Sequence, residues 1–380
     1  MKVVFLGCTF EYSFGFGANI TKVGYMAKGL TEAGATCVIH NGIVGSNKVN
    51  ADSRTEYNGH IVTTYKQRGS VHISWIRNIY KLYKYLKSEH IKGEQNIAIV
   101  ELDLYHIMLV YFILLKILGY KTIAISHEWG PITPGLNRLR ILSHWLFAKS
   151  FGWFADGILP ISEYIIDKIK HFKKPFFKLP IMADFEVKTK LYDKEEHNFV
   201  YCVGAGYFRS IQLIIDSYKE YNAQNGKIKL TLILSGNNES LKKVIDYIDS
   251  VNQRENIIIK TKLPYNDLLN EYANAAALLI PLDPRCIQDT ARFSQKTAEY
   301  LSSHSPIITN DVGEIKYYFN NDEIIKCNFS EEGFCNAFKW LENNLEKAKE
   351  IGEKGYIKGK QEFDYRILSD KMYNFFTTIK

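Results

Sequence analysis

The sequence lacks any apolar run long enough to cross a membrane, which argues against an integral membrane protein. The longest apolar stretch, residues 107–115, ends at Lys116 and is about half as long as the roughly 20 residues that a spanning helix needs. The amino terminus also lacks the apolar segment and the small-residue cleavage site of a signal peptide. We therefore predict a cytoplasmic protein.

Cysteine is scarce and shows no ligand-like spacing. The six cysteines include no C-x-x-C pair, and most of them lie in apolar, strand-like segments. This pattern favours buried reduced thiols over a disulfide framework. No group of His, Cys and Asp has the spacing of metal ligands either, so we expect no metal and no separate cofactor.

Positive charge is concentrated in the first half of the chain. Residues 1–190 contain 24 basic and 14 acidic residues, a net charge of +10, whereas residues 191–380 contain 24 and 27, a net charge of −3. The first half is therefore expected to contact something anionic. Because no helix-turn-helix, zinc-finger or RNP-like motif is present, we predict no nucleic-acid partner. An anionic membrane surface or a phosphorylated substrate fits better.

The order of apolar and amphipathic segments predicts an α/β protein with two domains. Strand-like and helix-like segments alternate in two series, which begin at "KVVFLG" and at "NFVYCVGAG" near residue 198. Such alternation predicts a parallel sheet in each series. A charged, aperiodic segment near residues 180–198 separates them. We therefore expect two Rossmann-like domains that face each other across a ligand-binding cleft.

Three segments carry candidate binding residues. The first, "GFGANI", has Gly15 and Gly17 but Ile20 in place of the third glycine of a dinucleotide fingerprint. A nicotinamide or flavin site is therefore disfavoured. The two glycines form either a plain turn or a loop that lets helix N–H groups approach a ligand.

The second segment is "VGAGYFRS", which follows a strand and opens a helix. Gly204 and Gly206 permit close approach of the backbone. Arg209 lies near the helix start, where a planar guanidinium suits a diphosphate. The alternative is an ordinary surface arginine.

The third segment is "RFSQKTAEYLSS", residues 292–303. Ser294 and Gln295 begin a helix, whose first N–H groups are available to an anion. Lys296 lies in the first turn, and Glu299 follows at i+3 on the same face. The alternative is an ordinary surface Lys–Glu pair.

In this order, the segments resemble the group 1 glycosyltransferases of family 4, which have the GT-B fold. The resemblance covers most of the chain and includes "LTLILSG" and the segment from residue 260 to 282, which flanks the nucleotide base in the family. It implies an N-terminal acceptor-binding domain at residues 1–187 and a nucleotide-sugar-binding domain at 188–363. Residues 364–380 are expected to form a helix that packs back on the first domain.

The resemblance implies a retaining hexosyl or N-acetylhexosaminyl transfer from a UDP- or GDP-linked sugar. The catalytic residues would be His127, Arg209 and Lys296, and Glu128 would contact the acceptor. The donor would be bound by Gly15, Gly17, Gly204, Gly206, Gly236, Leu263, Ser294, Gln295 and Glu299.

The sequence departs from the family at two positions. The first glutamate of the Glu-x7-Glu motif would be residue 291, which is Ala291, and Asp289 is out of register. Ala205 stands where the family often has arginine. Contacts to the donor sugar are therefore in doubt, whereas Glu299 would still hold the ribose hydroxyls.

Two basic, aromatic segments, residues 74–90 and 138–154, point to the acceptor. They are either packing helices with a solvated face or a surface for anionic lipid headgroups. A polyprenyl-diphosphate-linked glycan would explain both, so we predict a peripheral membrane enzyme of capsule or O-antigen synthesis. The alternatives are a sugar-nucleotide 2-epimerase of the same fold and a non-catalytic nucleotide-sugar-binding protein.

Overall fold

The structure, a computed structural model, describes residues 1–7, 18–41, 51–57, 59–66, 71–101, 105–130, 137–190 and 197–379. The chain divides into two compact units. The first unit contains Met1–Met182 and Phe363–Lys380, and the second contains Ala183–Glu362. The family resemblance implies a first boundary at residue 187, within the aperiodic segment near residues 180–198.

A seven-stranded sheet lies at the centre of the first unit, counted over the described residues. The strand order is β3-β4-β2-β1-β5-β6-β7. Neighbouring strands are parallel except at the β3–β4 edge. The strands are β1 (Lys2–Leu6), β2 (Thr36–His40), β3 (Ser53–Tyr57), β4 (His60–Thr64), β5 (Asn96–Val100), β6 (Lys121–Ser126) and β7 (Gly157–Pro160).

The antiparallel β3–β4 pair was not predicted. Its two strands are joined at Asn-Gly, residues 58–59, a dipeptide that favours the tight turns of β-hairpins. The signal was therefore present. It was hidden because β3, "SRTEY", is polar and contributes little to the apolar periodicity.

Helices cover both faces of this sheet, as parallel strands require. Strands β1 and β5 are buried along their whole length, which explains why each has four apolar residues in succession after a polar first residue. The first five helices are α1 (Ala18–Glu32), α2 (Val71–Glu89), α3 (Tyr105–Ile117), α4 (Arg138–Phe154) and α5 (Glu163–Ile169), and a 3-10 turn follows at Lys170–Phe172.

The second unit contains a six-stranded parallel sheet within the described residues. Its order is β10-β9-β8-β11-β12-β13, and each pair of neighbours is parallel. The strands are β8 (Asn198–Gly204), β9 (Leu230–Ser235), β10 (Ile257–Thr261), β11 (Ala275–Ile280), β12 (Ile307–Thr309) and β13 (Ile325–Lys326).

The helices of the second unit follow its strands in regular alternation. Ile211, Ile214, Ile215 and Tyr218 of α6 are buried, which is the face that the sequence periodicity predicts. They share a core with Phe334 and other α12 residues. The helices are α6 (Phe208–Ala223), α7 (Asn238–Ser250), α8 (Tyr265–Ala273), α9 (Ile287–Ala291), α10 (Gln295–Leu301), α11 (Ile315–Tyr318), α12 (Glu331–Asn343) and α13 (Leu345–Phe363).

The last helix, α14 (Tyr365–Thr378), belongs to the first unit and packs against α1. Met372 and Phe376 join the apolar core that α1 forms with one face of the sheet. Tyr365 also donates a hydrogen bond of 3.0 Å to the Glu32 carboxylate. The carboxyl end of the chain therefore completes the core built by its amino end.

The structure also bears on the two absences noted in the sequence. The five cysteines within the described residues are free thiols. In the same part of the chain, no helix combines the length and the apolar character that crossing a bilayer requires.

Candidate active site

The carboxyl ends of the parallel strands form one edge of each sheet, and the candidate residues lie along these edges. In the first unit the strand order reverses between β1 and β5, and in the second it reverses between β8 and β11. Doubly wound sheets bind ligands at such switch points. Each unit therefore has one preferred place for a ligand.

In the first unit, Gly15 and Gly17 lie outside the described residues, so their role stays a prediction. His127 and Glu128 follow β6 directly, at the carboxyl edge. The His127 side chain is largely buried, whereas Glu128 is exposed. The proposed sugar contact of His127 and the acceptor contact of Glu128 remain predictions.

Two residues that sequence reasoning missed flank the His127 ring. Nζ of Lys22 lies 3.4 Å from Nδ1 of His127, and Oε1 of Glu101 lies 3.8 Å from Nε2. Lys22 also donates to the carbonyl of Leu179 at 3.2 Å. When Lys22 is protonated, its ammonium group can only donate, and Nδ1 is the acceptor. The ring proton is then on Nε2, on the side of Glu101.

Burial determines the protonation states of His127 and Lys22. Burial, reinforced by the charge of Lys22, holds the pKa of His127 well below its usual value, so the ring is neutral. Burial also lowers the pKa of Lys22 to about 7, against the opposing effect of Glu101. A neutral imidazole with a proton on Nε2 can donate a hydrogen bond to a sugar hydroxyl.

The sequence contained a signal for only one of the two missed residues. Glu101 comes directly after the apolar run "IAIV" of β5, and a carboxylate at that place in a parallel sheet points to its ligand edge. Lys22 lies in an amphipathic helix, where lysine is usually solvated. Only the folded structure shows that the Lys22 side chain is buried.

In the second unit, Arg209 lies in the first turn of α6, which opens at the carboxyl end of β8. Its side chain is 55% exposed, and Nη1 lies 2.8 Å from Oδ2 of the buried Asp283. Asp283 follows β11, the strand across the switch point. A buried carboxylate that the sequence analysis missed therefore orients Arg209, and its contact with a diphosphate stays a prediction.

Asp283 is held in turn by a polar network. Its backbone N–H donates to Oδ2 of Asp289 at 2.9 Å. The other oxygen of Asp289 accepts from Nη2 of Arg292 at 2.8 Å, and Nη1 of Arg292 donates to the Tyr207 hydroxyl at 2.6 Å. Both oxygens of Asp289 thus serve this network, which gives the carboxylate a structural role.

Gly204, which ends β8, and Gly206 differ from the glycines that the fold needs for its own backbone. A Cβ added at Gly206 would meet no atom within 4 Å, and one at Gly204 would make only ordinary contacts with the Tyr207 ring. The protein alone therefore does not require glycine at either position. Open space therefore lies beside the backbone at Gly206, and the donor contacts of both glycines stay predictions.

Helix α10 contains the predicted Lys–Glu pair. Lys296 is partly exposed in the first turn, whereas Glu299 is buried. Burial raises the pKa of the Glu299 carboxyl to about 7, although the charge of Lys296 opposes the change. Ser294 is the N-cap residue, and Gln295 is the first helical residue. The buried carboxylate argues against an ordinary surface pair.

The remaining predicted donor residues lie at the same edge. Gly236 directly follows β9, and Leu263 lies two residues beyond β10. Gly236 has φ of +150°, and an added Cβ would lie 3.2 Å from Cβ of Ala205. Backbone conformation is thus sufficient to explain this glycine. The donor contacts of Gly236 and Leu263 stay predictions.

Comparison with known proteins identifies the second unit. Residues 184–358 match the family described as Glycosyl transferases group 1. The second unit is a group 1 glycosyltransferase domain. This is the family that the sequence motifs resemble, and the match contains all of the polar residues described at the edge of the second sheet. A comparison with the sequences of curated proteins finds no match.

Solved structures extend the likeness over both units of this glycosyltransferase. Sucrose-phosphate synthase from Thermosynechococcus elongatus is 13% identical, with a TM-score of 0.77 over 99% of this chain and 98% of that chain. Anabaena HepE, in complex with UDP and glucose, is 10% identical, with a TM-score of 0.71 over 100% of both chains. A glycosyltransferase from Rickettsia africae is 10% identical, with a TM-score of 0.73 over 100% of this chain and 98% of that chain. The chain therefore has the GT-B fold, as predicted.

Position 291 is where this glycosyltransferase departs from the predicted family pattern. Ala291 ends α9 and is fully buried. The nearby Asp289 already binds Arg292 and the backbone of Asp283, so it is a poor substitute for the missing glutamate. Glu299 is buried as well, and its contact with the donor stays a prediction.

The polar groups of the glycosyltransferase do not form a metal centre in the part of the chain that the structure describes. No three His, Cys, Asp or Glu side chains converge there in a way that could hold a metal ion. The charged groups of the second unit are instead arranged as cations beside single carboxylates, notably Arg209 with Asp283 and Lys296 near Glu299.

Proposed function

We propose that this protein is a retaining glycosyltransferase that transfers a hexosyl or N-acetylhexosaminyl group from a UDP- or GDP-linked sugar to a glycan acceptor. The observation that carries the proposal is Glu299, a buried carboxylate one turn after Lys296 in the group 1 glycosyltransferase unit. A carboxylate held at an unfavourable pKa beside a cation is typical of a functional site. It would accept hydrogen bonds from the two ribose hydroxyls of the donor.

The diphosphate would be bound by Arg209 and Lys296. A guanidinium has five N–H donors, and the contact with Asp283 uses a single nitrogen, Nη1. The other donors of Arg209 are then able to reach a diphosphate while Asp283 keeps the group in place. Such preorganisation reduces the reorganisation needed when negative charge develops on the leaving group.

Bond cleavage would be driven by charge stabilisation on the leaving diphosphate. As the glycosidic bond loosens, negative charge accumulates on the phosphate oxygen, and the two cations stabilise it. That same oxygen can accept the proton of the attacking hydroxyl, so the carboxylate pair of glycosidases is not needed. We further propose that the two side-chain cations serve in place of a metal ion.

The first unit would bind the acceptor and the transferred sugar. The N–H on Nε2 of His127 would donate to a sugar hydroxyl, with Lys22 holding the ring in that tautomer. A lipid-linked glycan acceptor, used in the synthesis of a cell-surface polysaccharide such as a capsule or O-antigen, is supported by the excess positive charge of residues 1–190.

The proposal is tested by incubating the protein with a panel of UDP- and GDP-linked sugars, with and without glycan acceptors. Acceptor-dependent release of the nucleotide, with the anomeric configuration preserved in the product, is expected. Release or epimerisation without any acceptor would instead indicate the 2-epimerase. Binding of nucleotide sugars without turnover would indicate the non-catalytic alternative.

A further inference from the structure

The outer face of α4 has an unusual composition for a solvent-exposed surface. Leu139 is 80% exposed, and Leu142 is 52% exposed. The two tryptophans of the helix, Trp145 and Trp153, are 49% and 63% exposed. Large exposed apolar side chains that occur together mark an interaction surface.

These residues form one continuous stripe with two cations. At 100° per residue, Arg138, Lys149 and the four apolar residues fall within about 120° of the helix circumference. The opposite face contains the buried His144, Ala148 and Phe151. The helix is therefore amphipathic in an unusual sense: one face packs on the unit, and the other presents leucine, tryptophan and positive charge.

The helix is held rigidly against its own unit. A Cβ added at Gly152 would overlap the Phe172 ring at 2.3 Å, so the two elements approach as closely as glycine allows. Trp153 contacts the same ring edge-to-face, with centroids 5.8 Å apart. The stripe thereby continues toward the basic segment that contains the exposed Lys173 and the partly exposed Lys174.

The charge of this surface is of one sign. The sequence of α4, "RLRILSHWLFAKSFGWF", contains two arginines and one lysine and no acidic residue. Lys149 lies over the Trp145 ring, 5.9 Å from its centroid. Tryptophan prefers the boundary between water and lipid, and cations beside it favour anionic headgroups. A surface that binds nucleic acid would need the positive charge but not the exposed leucines.

From this composition we infer that the α4 stripe, formed by Arg138, Leu139, Leu142, Trp145, Lys149 and Trp153, is the surface with which the protein docks on an anionic lipid bilayer. The inference rests on the proposed function, because a lipid-linked acceptor resides in a membrane. The tryptophans and leucines insert at the headgroup boundary, while the flanking cations pair with lipid phosphates.

The test is co-sedimentation of the purified full-length protein with vesicles, without donor or acceptor. Vesicles of equal parts phosphatidylcholine and phosphatidylglycerol are expected to bind it, and added salt is expected to weaken binding. Vesicles of phosphatidylcholine alone are expected to bind it far less. The double variant Arg138→Gln/Lys149→Gln should lower the partition coefficient about 25-fold, at about fivefold for each cation.

A second variant, Leu142→Ser/Trp145→Ser, removes the apolar contacts and should also lose most of the bound fraction. The matched controls are Lys219→Gln on α6 and Ile357→Ser on α13, both exposed positions of the second unit, which should bind as the wild type does. Thermal melts of all variants check that the fold is retained.

The inference is wrong if the wild type remains in the supernatant with anionic vesicles, or if the α4 variants bind as well as the controls. It is also wrong if the wild type forms a dimer that the α4 variants dissociate and does not bind vesicles, because the stripe is then a protein interface. Transfer to a water-soluble acceptor is measured in parallel. If no sugar is transferred to this acceptor, the result counts against the proposed function and not against the lipid-binding surface.

Discussion

The two sheet edges differ in the charged groups that they bury: basic side chains in the first unit and a carboxylate in the second. At the edge of the first unit, a lysine and a histidine are buried, and burial shifts both toward their neutral forms. At the edge of the second unit, the cations Arg209 and Lys296 reach solvent, while the carboxylate Glu299 is buried. Under the proposed function, the first edge would bind uncharged hydroxyls, and the second would bind an anion with a pentose attached. The same fold would then support two binding chemistries.

The largest effect is expected from removing a cation of the second edge. Lys296→Ala and Arg209→Ala should each lower turnover on the order of 10² to 10³-fold, because each removes a preorganised donor to the leaving diphosphate. Initial rates of nucleotide release with a saturating acceptor measure the effect. The control Lys219→Ala removes an exposed lysine of α6 and should leave turnover unchanged. Equal activity of all three variants would contradict the assigned site.

Glu299→Gln should separate stability from donor binding. The carboxyl has a pKa of about 7 in the folded protein, against 4.5 for an unperturbed glutamate. Burying the charged carboxylate therefore lowers the free energy of unfolding. This cost is fully present above pH 7 and disappears as the pH falls toward 4.5. The variant should gain stability on the order of 3 kcal/mol near pH 8 and less than about 1 kcal/mol near pH 5.

The same variant should bind UDP or GDP about 10- to 100-fold more weakly, because charged hydrogen bonds to the ribose hydroxyls are lost. Denaturation at both pH values and calorimetric titration with nucleotide measure the two effects. The control Glu350→Gln changes an exposed glutamate of α13 and should alter neither quantity. A Glu299 variant that is less stable near pH 8 would show that the carboxylate is not strained by burial.

A smaller effect is expected at the first edge, from Lys22→Met. The variant keeps the apolar stem and removes the donor to Nδ1 of His127, so the ring loses its fixed tautomer. We expect kcat/KM to fall about tenfold, the equivalent of one hydrogen bond. Nitrogen NMR of the His127 ring should show an Nε2–H tautomer near pH 6 in the wild type and a mixture in the variant. An unchanged tautomer would refute the positioning role of Lys22.

The smallest effect is expected from Gly206→Ala. Because an added Cβ meets open space, the variant should be as stable as the wild type or more stable by up to about 1 kcal/mol. Only the KM for the donor should rise. Gly236→Ala provides the contrast, since its φ of +150° makes any side chain there strained and the fold less stable. A destabilised Gly206→Ala would mean that this glycine serves the fold and not the donor.

The sequence was informative where the controlling interactions are local. Alternating apolar and amphipathic segments predicted both parallel sheets, because backbone pairing and burial impose that pattern on each strand. The i+3 spacing of Lys296 and Glu299 likewise placed the two side chains on one helical face. The polar hairpin β3–β4 escaped this reasoning, since it contributes little to the apolar periodicity.

Only the tertiary structure determined which residues of distant segments contact one another. Arg209 meets Asp283, and Lys22 meets His127, because strand order and the crossover helices bring separate loops to one sheet edge. No local pattern encodes such contacts, because they depend on the register of whole sheets. By itself the sequence determined the elements and the chemical groups available, and folding determined which groups act on one another.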